Sequence, residues 1–298
     1  MSPAAVLLLL LACASFALPA EAQREHTLTG YFRTHPAFHS AFLKQDRNVI
    51  VWLPPDYEAS PRRRYPVFYL CDGQNVFDGA TSFLPGKEWR LDETSQRMTQ
   101  SGEMEPAILV GVYNSPDRIS EYTPTYLERF KQGGKADDYG RMLIEELKPF
   151  IDAHYRTRRT GRDTGLGGSS LGGLLALYLG LKHPRVFQRL AVVSPSVWWD
   201  KRVIVRMVEA LKRRPALRIW LDVGTAEGGN AQEADETLQD ARALHAALLN
   251  RGWKPGRDLA WLEVEGAHHN EDAWAARADK MLAFLFPPAS ARPGKLAP

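Results

Sequence analysis

Short apolar runs alternate with amphipathic helical segments along most of this chain, and that order constrains the fold more than any other feature. The runs NVIVWL (48–53), YPVFYLC (65–71) and AILVGV (107–112) have the β-branched and aromatic content of strands. The last two are apolar throughout, as strands buried on both faces are. Residues 138–155 then carry Tyr139, Met142, Leu143, Leu147, Phe150 and Ile151 at helical spacing. From there the sequence predicts strand 164–167, helix 171–182, strand 190–193, helix 202–212, strand 217–223, helix 231–251, strand 259–264 and helix 272–286. Strands alternating with helices imply a mostly parallel sheet with helices on both faces. Residues 113–137 lack clear periodicity and read as an irregular insertion over that sheet. No internal repeat or linker divides the chain.

Open parallel sheets bind ligands beyond the carboxyl ends of their strands, so chemistry is sought at the strand-to-helix junctions. Gly168-Ser169-Ser170-Leu171-Gly172 matches G-x-S-x-G. The bare pattern is weak, but here it follows a predicted strand and opens a predicted helix. Ser170 on so tight a turn needs small neighbours, and Gly168, Gly172 and Gly173 provide them. The alternative is a glycine-rich turn with structural serines.

A serine nucleophile needs a base, and the base needs an orienting carboxylate. Gly266-Ala267-His268-His269-Asn270 follows the last strand and offers His269, with His268 as the alternative. Gly224-Thr225-Ala226-Glu227-Gly228 follows the preceding strand and offers Glu227, with Asp222 inside that strand as the weaker candidate. Glu233 and Asp235 fit the start of the next helix, where acids suit the dipole. Acyl transfer also needs N–H groups facing the developing anion. Leu171 N–H, next to the serine, and Gln74 N–H, in the Asp72-Gly73-Gln74-Asn75 loop, are the candidates. Trp89, Tyr122, Trp198 and Trp199 lie at or near such loops and could line a substrate pocket or pack in the core. No metal is expected at adjacent histidines whose side chains diverge, without an H-E-x-x-H or a cysteine cluster.

Four segments, YPVFYLCDGQNVFD (65–78), GGSSLGG (167–173), SPSVWW (194–199) and HNEDAW (269–274), resemble the Putative esterase family of α/β-hydrolases. That family includes enterochelin and bacillibactin trilactone esterases, S-formylglutathione hydrolase, feruloyl and acetyl-xylan esterases, and mycolyltransferases. The resemblance runs from about residue 39 to 286. It implies an α/β-hydrolase fold, no cofactor, and Ser170, His269 and Glu227 as nucleophile, base and acid. Many relatives carry Asp at the acid position, so Glu227 departs from the commoner pattern. The 72–75 loop is most like the bacillibactin-esterase branch. The resulting expectation is a serine carboxylic-ester hydrolase working through an acyl-enzyme on a small-molecule ester, a siderophore lactone or a feruloyl or acetyl sugar ester. The alternatives are an acyltransferase to a sugar or lipid alcohol and a non-catalytic binding module on the same fold.

Residues 1–22 stand apart. An apolar stretch containing Val6 and Leu7 to Leu11 is followed by Ala20-Glu21-Ala22, which reads as a signal peptide for export to the periplasm or medium. The run is short for a membrane span. Leu10-Leu11-Ala12-Cys13 also resembles a lipoprotein site. Residues 23–298 are expected to form one domain, with 287–298 a frayed tail. The formal charge of +3 is too small to argue for nucleic acid. Without Cys13, only Cys71 remains, so no internal disulfide is available.

Overall fold

The computed structural model describes residues 24–288. The signal peptide, Cys13 and residues 289–298 of the expected tail lie outside them. Among the described residues, strands β1 (Tyr31–Phe38), β2 (Arg47–Leu53), β3 (Val67–Cys71), β4 (Ile108–Val112), β7 (Thr164–Ser169), β8 (Arg189–Val193), β9 (Arg218–Gly224) and β10 (Leu259–Val264) form one sheet in the order β1-β2-β4-β3-β7-β8-β9-β10. A separate small hairpin pairs β5 (Tyr126–Leu127) with β6 (Gln132–Gly133). From β4 to β10 every neighbouring pair is parallel; β2 and β1 add antiparallel. Each parallel strand from β3 to β8 is buried along its whole length. That is why the sequence there is continuously apolar or glycine-rich rather than alternating.

Helices cover both faces. On one side lie α3 (Ala136–Arg141), α4 (Lys148–His154), α5 (Leu171–Lys182), α6 (Val203–Glu209) and α7 (Ala231–Asn250), packed on Val67, Tyr69 and Leu166. On the other, α1 (Leu91–Ser101), α8 (Glu271–Ala275) and α9 (Ala278–Leu285) pack on Phe68 and Leu70. Alternate residues of β3 therefore feed opposite cores, as the two-residue period of a strand requires. α5 is buried all round except at Lys182. No helix among the described residues is long and apolar enough to cross a membrane.

The predicted elements from residue 164 onward are present, with two differences. The helix expected over 202–212 is shorter, and that expected over 272–286 is broken between α8 and α9 at Ala276 and Arg277. The helix expected over 138–155 is also interrupted: α3 and α4 flank a wide π turn at Met142–Leu147. Pro149, which has no N–H to donate, sits in the first turn of α4. β1 and α1 have no counterpart in the sequence reading. β1 is an edge strand with Pro36 in it and a register shift between His35 and Phe38, and it is largely exposed. α1 carries few apolar residues.

The 113–137 insertion contains α2 (Arg118–Glu121) and the β5–β6 hairpin. A buried ion pair ties it to the sheet: Arg47, at the start of β2, bonds Glu121, and both side chains are almost fully hidden. Glu121 also accepts from the Ser115 hydroxyl at 3.2 Å. Breaking such a pair leaves a buried charge uncompensated. Arg47→Met is expected to cost about 3–5 kcal/mol in urea unfolding, and Arg47→Met with Glu121→Leu to recover most of it.

Candidate active site

Ser170 sits between β7 and α5 with φ 58° and ψ −122°, a region side chains other than glycine rarely occupy. Three backbone bonds hold it there. Its N–H donates to Val193 O at 3.0 Å, and its carbonyl accepts from Leu174 N at 3.1 Å and Ser196 N at 3.0 Å. The turn closes only because its neighbours lack side chains. A Cβ on Gly168 would stand 2.9 Å from the Cys71 Cβ and 3.0 Å from the Gly172 backbone. The Ser170 hydroxyl meets the Ser196 hydroxyl at 3.1 Å, and among the described residues it makes no hydrogen bond to His269.

The loops after β9 and β10 interlock. Thr225 N donates to Val264 O at 3.0 Å and Ala226 N to Ala267 O at 3.0 Å. A Cβ on Gly224 would stand 2.2 Å from Ala267 O, so only glycine allows this approach. Asn270 caps α8 by accepting from Ala273 N at 3.0 Å. The result places His269 Nδ1 2.9 Å from Glu227 Oε2. A carboxylate there holds the proton on Nδ1 and leaves Nε2 free to accept one. His268 instead has its Nδ1 at 3.1 Å from Ala226 O, and both imidazoles reach solvent.

Beneath this pair is a buried polar network that the sequence reading missed. Glu227 Oε1 accepts from Gly224 N at 2.6 Å and from the Ser194 hydroxyl. Ser194 Oγ in turn accepts from Trp274 Nε1 at 3.0 Å and Arg277 Nη2 at 2.7 Å. Arg277 Nη2 also reaches Asp222 Oδ1 at 2.8 Å and lies 3.6 Å from Glu227 Oε1. Asp222 further accepts from Ser194 N at 3.2 Å and the Trp220 indole. Asp222 thus serves Arg277, and Glu227 is the carboxylate that meets histidine. Burial pushes the Glu227 carboxyl up, but the His269 hydrogen bond and charge, the Ser194 hydroxyl and the Gly224 amide outweigh it and leave it below the usual range. One sequence signal could have pointed to Arg277: it falls among the apolar positions Trp274, Ala278 and Met281 of the last helical segment.

Ser170, Glu227 and His269 line one cleft of about 540 Å³ together with Ser194, Ser196 and Trp198. Leu171 N–H follows Ser170 at the head of α5. Gln74 lies in a short 3-10 turn after β3 and is not among the cleft walls. Neither amide donates to another group among the described residues. Gly73 lets that turn rest on β4, where a Cβ would stand 2.4 Å from the Gly111 carbonyl carbon. Of the aromatic candidates, only Trp198 faces the cleft, at 40% exposure. The other three are core residues, so their assignment to the pocket is corrected. Trp89 packs on Trp274 at 5.7 Å between ring centroids, Tyr122 packs on Tyr139 at 5.1 Å, and Trp199 donates its indole N–H to Thr125. Beside Trp198 stands Phe130 at 6.0 Å, with the Arg129 guanidinium over both rings.

A mostly parallel sheet sheathed by helices, with a serine on the strand–helix turn after β7, defines an α/β-hydrolase fold. The chain belongs to the Putative esterase family, whose match spans residues 40–285. It is similar to the uncharacterized protein YbbA of Bacillus subtilis, 24% identical over 76% of this chain and 87% of that one. It is also similar to the ferri-bacillibactin esterase BesA of the same organism, 25% identical over 70% of this chain and 76% of that one. The crystal structure of the BES protein from Bacillus cereus superposes with a TM-score of 0.68 at 22% identity, over 90% of this chain and 99% of that one. The family and its esterase-named relatives support an esterase function.

The lowered Glu227 carboxyl makes a signed prediction. The folded state holds that proton less tightly than the unfolded chain, so the stabilisation is complete above the ordinary value of 4.5 and is lost as pH falls through the lower folded value. Glu227→Gln should be less stable than the parent by about 1–3 kcal/mol near neutral pH. That gap should close on acidification, as read by urea unfolding along a pH series from neutral to strongly acidic.

Proposed function

We propose that the chain is a serine carboxylic-ester hydrolase in which Ser170 is the nucleophile, His269 the base and Glu227 the acid. The observation that carries this reading is the 2.9 Å contact of His269 Nδ1 with buried Glu227 in the cleft that also contains the Ser170 hydroxyl. In the reaction Ser170 Oγ leaves Ser196 and turns to His269 Nε2, which takes its proton as Oγ attacks the ester carbonyl. Leu171 N–H at the head of α5 stabilises the oxyanion, with Gln74 N–H as the second donor. His269 then protonates the departing alcohol, and water attacking the acyl-enzyme repeats the cycle in reverse order. Catalytic hydrogen bonds are often unmade before substrate arrives, which fits the resting Ser170–Ser196 contact.

We infer an ester with an aromatic or catecholate portion, of the siderophore-lactone class, as the substrate. Trp198 in the cleft wall, with Phe130 and Arg129 packed beside it, offers ring faces and positive charge for it, and a relative of similar length is named a ferri-bacillibactin esterase. The leader at 1–22 would take the enzyme out of the cytoplasm, to meet such esters there.

Ser170→Ala is expected to lower kcat/KM on aryl esters by at least ~10³-fold and to abolish labelling by a fluorophosphonate probe. His269→Ala should do the same to turnover, and His268→Ala should stay within roughly 3-fold of the parent, as expected of a side chain outside the reacting set. Labelling that survives in Ser170→Ala would remove that residue from its role. A panel of siderophore lactones, feruloyl esters and acetylated xylans, with and without an added alcohol, ranks the substrates and separates hydrolysis from acyl transfer.

A further inference from the structure

Away from the cleft walls, α1 begins beside an unusual group of acids. One carboxylate oxygen from each of Glu88, Asp92 and Glu93 lies within 4.8 Å of the other two. Asp92 is 0% exposed and Glu88 3% exposed. Among the described residues, none of the three forms an ion pair with Lys, Arg or His. Buried carboxylates are ordinarily paired with a cation or bound to a metal. The acids at the start of α1 suit the helix dipole, but that does not account for Glu88, which precedes the helix.

A second observation concerns individual atoms. Among the described residues, Asp92 Oδ1, Glu88 Oε2 and Glu93 Oε2 are buried and accept no hydrogen bond. Three positions on, along the same helix face as Asp92, the hydroxyl of Ser95 is also wholly buried and unpartnered. The other oxygen of Asp92 and of Glu88 is taken by the N-terminal segment. Thr29 N donates to Asp92 Oδ2 at 2.7 Å, and the Thr27 hydroxyl donates to Glu88 Oε1. Thr27 Oγ1 also accepts from Gly79 N at 2.8 Å.

We propose that Glu88, Asp92 and Glu93 form a calcium site that clamps residues 27–29 onto the start of α1. The donor set is oxygen only, which favours a hard cation over zinc or copper. Oxygens within 4.8 Å of one another fit around an ion bound at about 2.3–2.6 Å, the calcium range. Glu93 is only half-buried, so the ion has a route in from solvent. Without an ion, burial first and the neighbouring Glu93 second push the Asp92 carboxyl up from its ordinary range. A proton is then the competitor for the site.

The test uses the purified full chain stripped with EDTA, followed by calorimetric titration with calcium and thermal unfolding with and without it. One binding event per chain is expected, with Tm rising by roughly 5 °C at calcium 100-fold above its Kd. Asp92→Asn should lose both signals, yet in EDTA should unfold close to the parent's Tm, because a neutral amide stands in for a carboxyl that burial already keeps protonated without the ion. A residue with a merely structural role would lower Tm in EDTA as well. Should Asp92→Asn fail to fold, half-buried Glu93→Gln serves, with the calcium response at least tenfold weaker. Limited proteolysis within residues 24–30 should slow when calcium is added. No binding heat and no Tm change at millimolar calcium would overturn the proposal in favour of a shared proton, as would a full calcium response in the variants.

Discussion

The arrangement around Glu227 depends on one buried contact, that between Arg277 and Asp222. A carboxylate under a cleft is unstable unless its charge is compensated and its lone pairs are filled. Arg277 is the nearby cation, and it serves Asp222, Ser194 and the Glu227 side at once. Ser194 uses its full capacity, donating to Glu227 while accepting from Trp274 and Arg277. A network with each of these members engaged is stiff, and removal of one leaves others unsatisfied in low dielectric. Glu227 is therefore held from below, which leaves its outer oxygen for His269.

The sheet supplies the second constraint. The chain passes from β3 to β4 on one side and later to β7 on the other, so the loops after β3 and β7 part at a topological switch point. Crevices form at such points, outside the carboxyl ends of the strands. Ser170 stands on the β7 side of this point and the turn holding Gln74 follows β3 on the other, while the cleft itself is lined by the loops after β7, β8, β9 and β10. The positive φ of Ser170 is maintained by bonds to both ends of the β8 turn, so the strain is borne by the fold rather than by the loop alone.

The insertion between β4 and α3 meets the cleft wall through Phe130, whose ring lies 6.0 Å from that of Trp198. Arg118 makes paired hydrogen bonds to Asp72 at 2.7 Å each, joining the insertion to the loop after β3. Trp199 anchors the β5–β6 hairpin from below through Thr125, and Phe130 stacks on its ring at 5.6 Å. Buried Trp199 thus supports the aromatic surface that Phe130 and exposed Trp198 present. The proposed substrate preference rests on Trp198 in the cleft wall and on Phe130 and Arg129 in this hairpin.

Local sequence was enough for the alternation of strands and helices from residue 164 onward, the glycine-flanked serine between β7 and α5, and the loops carrying Glu227 and His269. These features follow from neighbours in the chain: apolar runs make buried strands, and small residues permit a tight turn. Other features depend on contacts far apart in sequence. That Glu227 meets His269 while Asp222 is held by Arg277, 55 residues further along the chain, is visible only in the folded structure. Trp89, Tyr122 and Trp199 look like Trp198 in sequence, and only packing separates core from cleft. β1 and α1 were illegible because an edge strand with a proline and a helix with a mostly polar surface leave little periodic signal. Spacing along the chain sets which elements form, whereas burial and charge compensation between distant segments decide which side chains face one another.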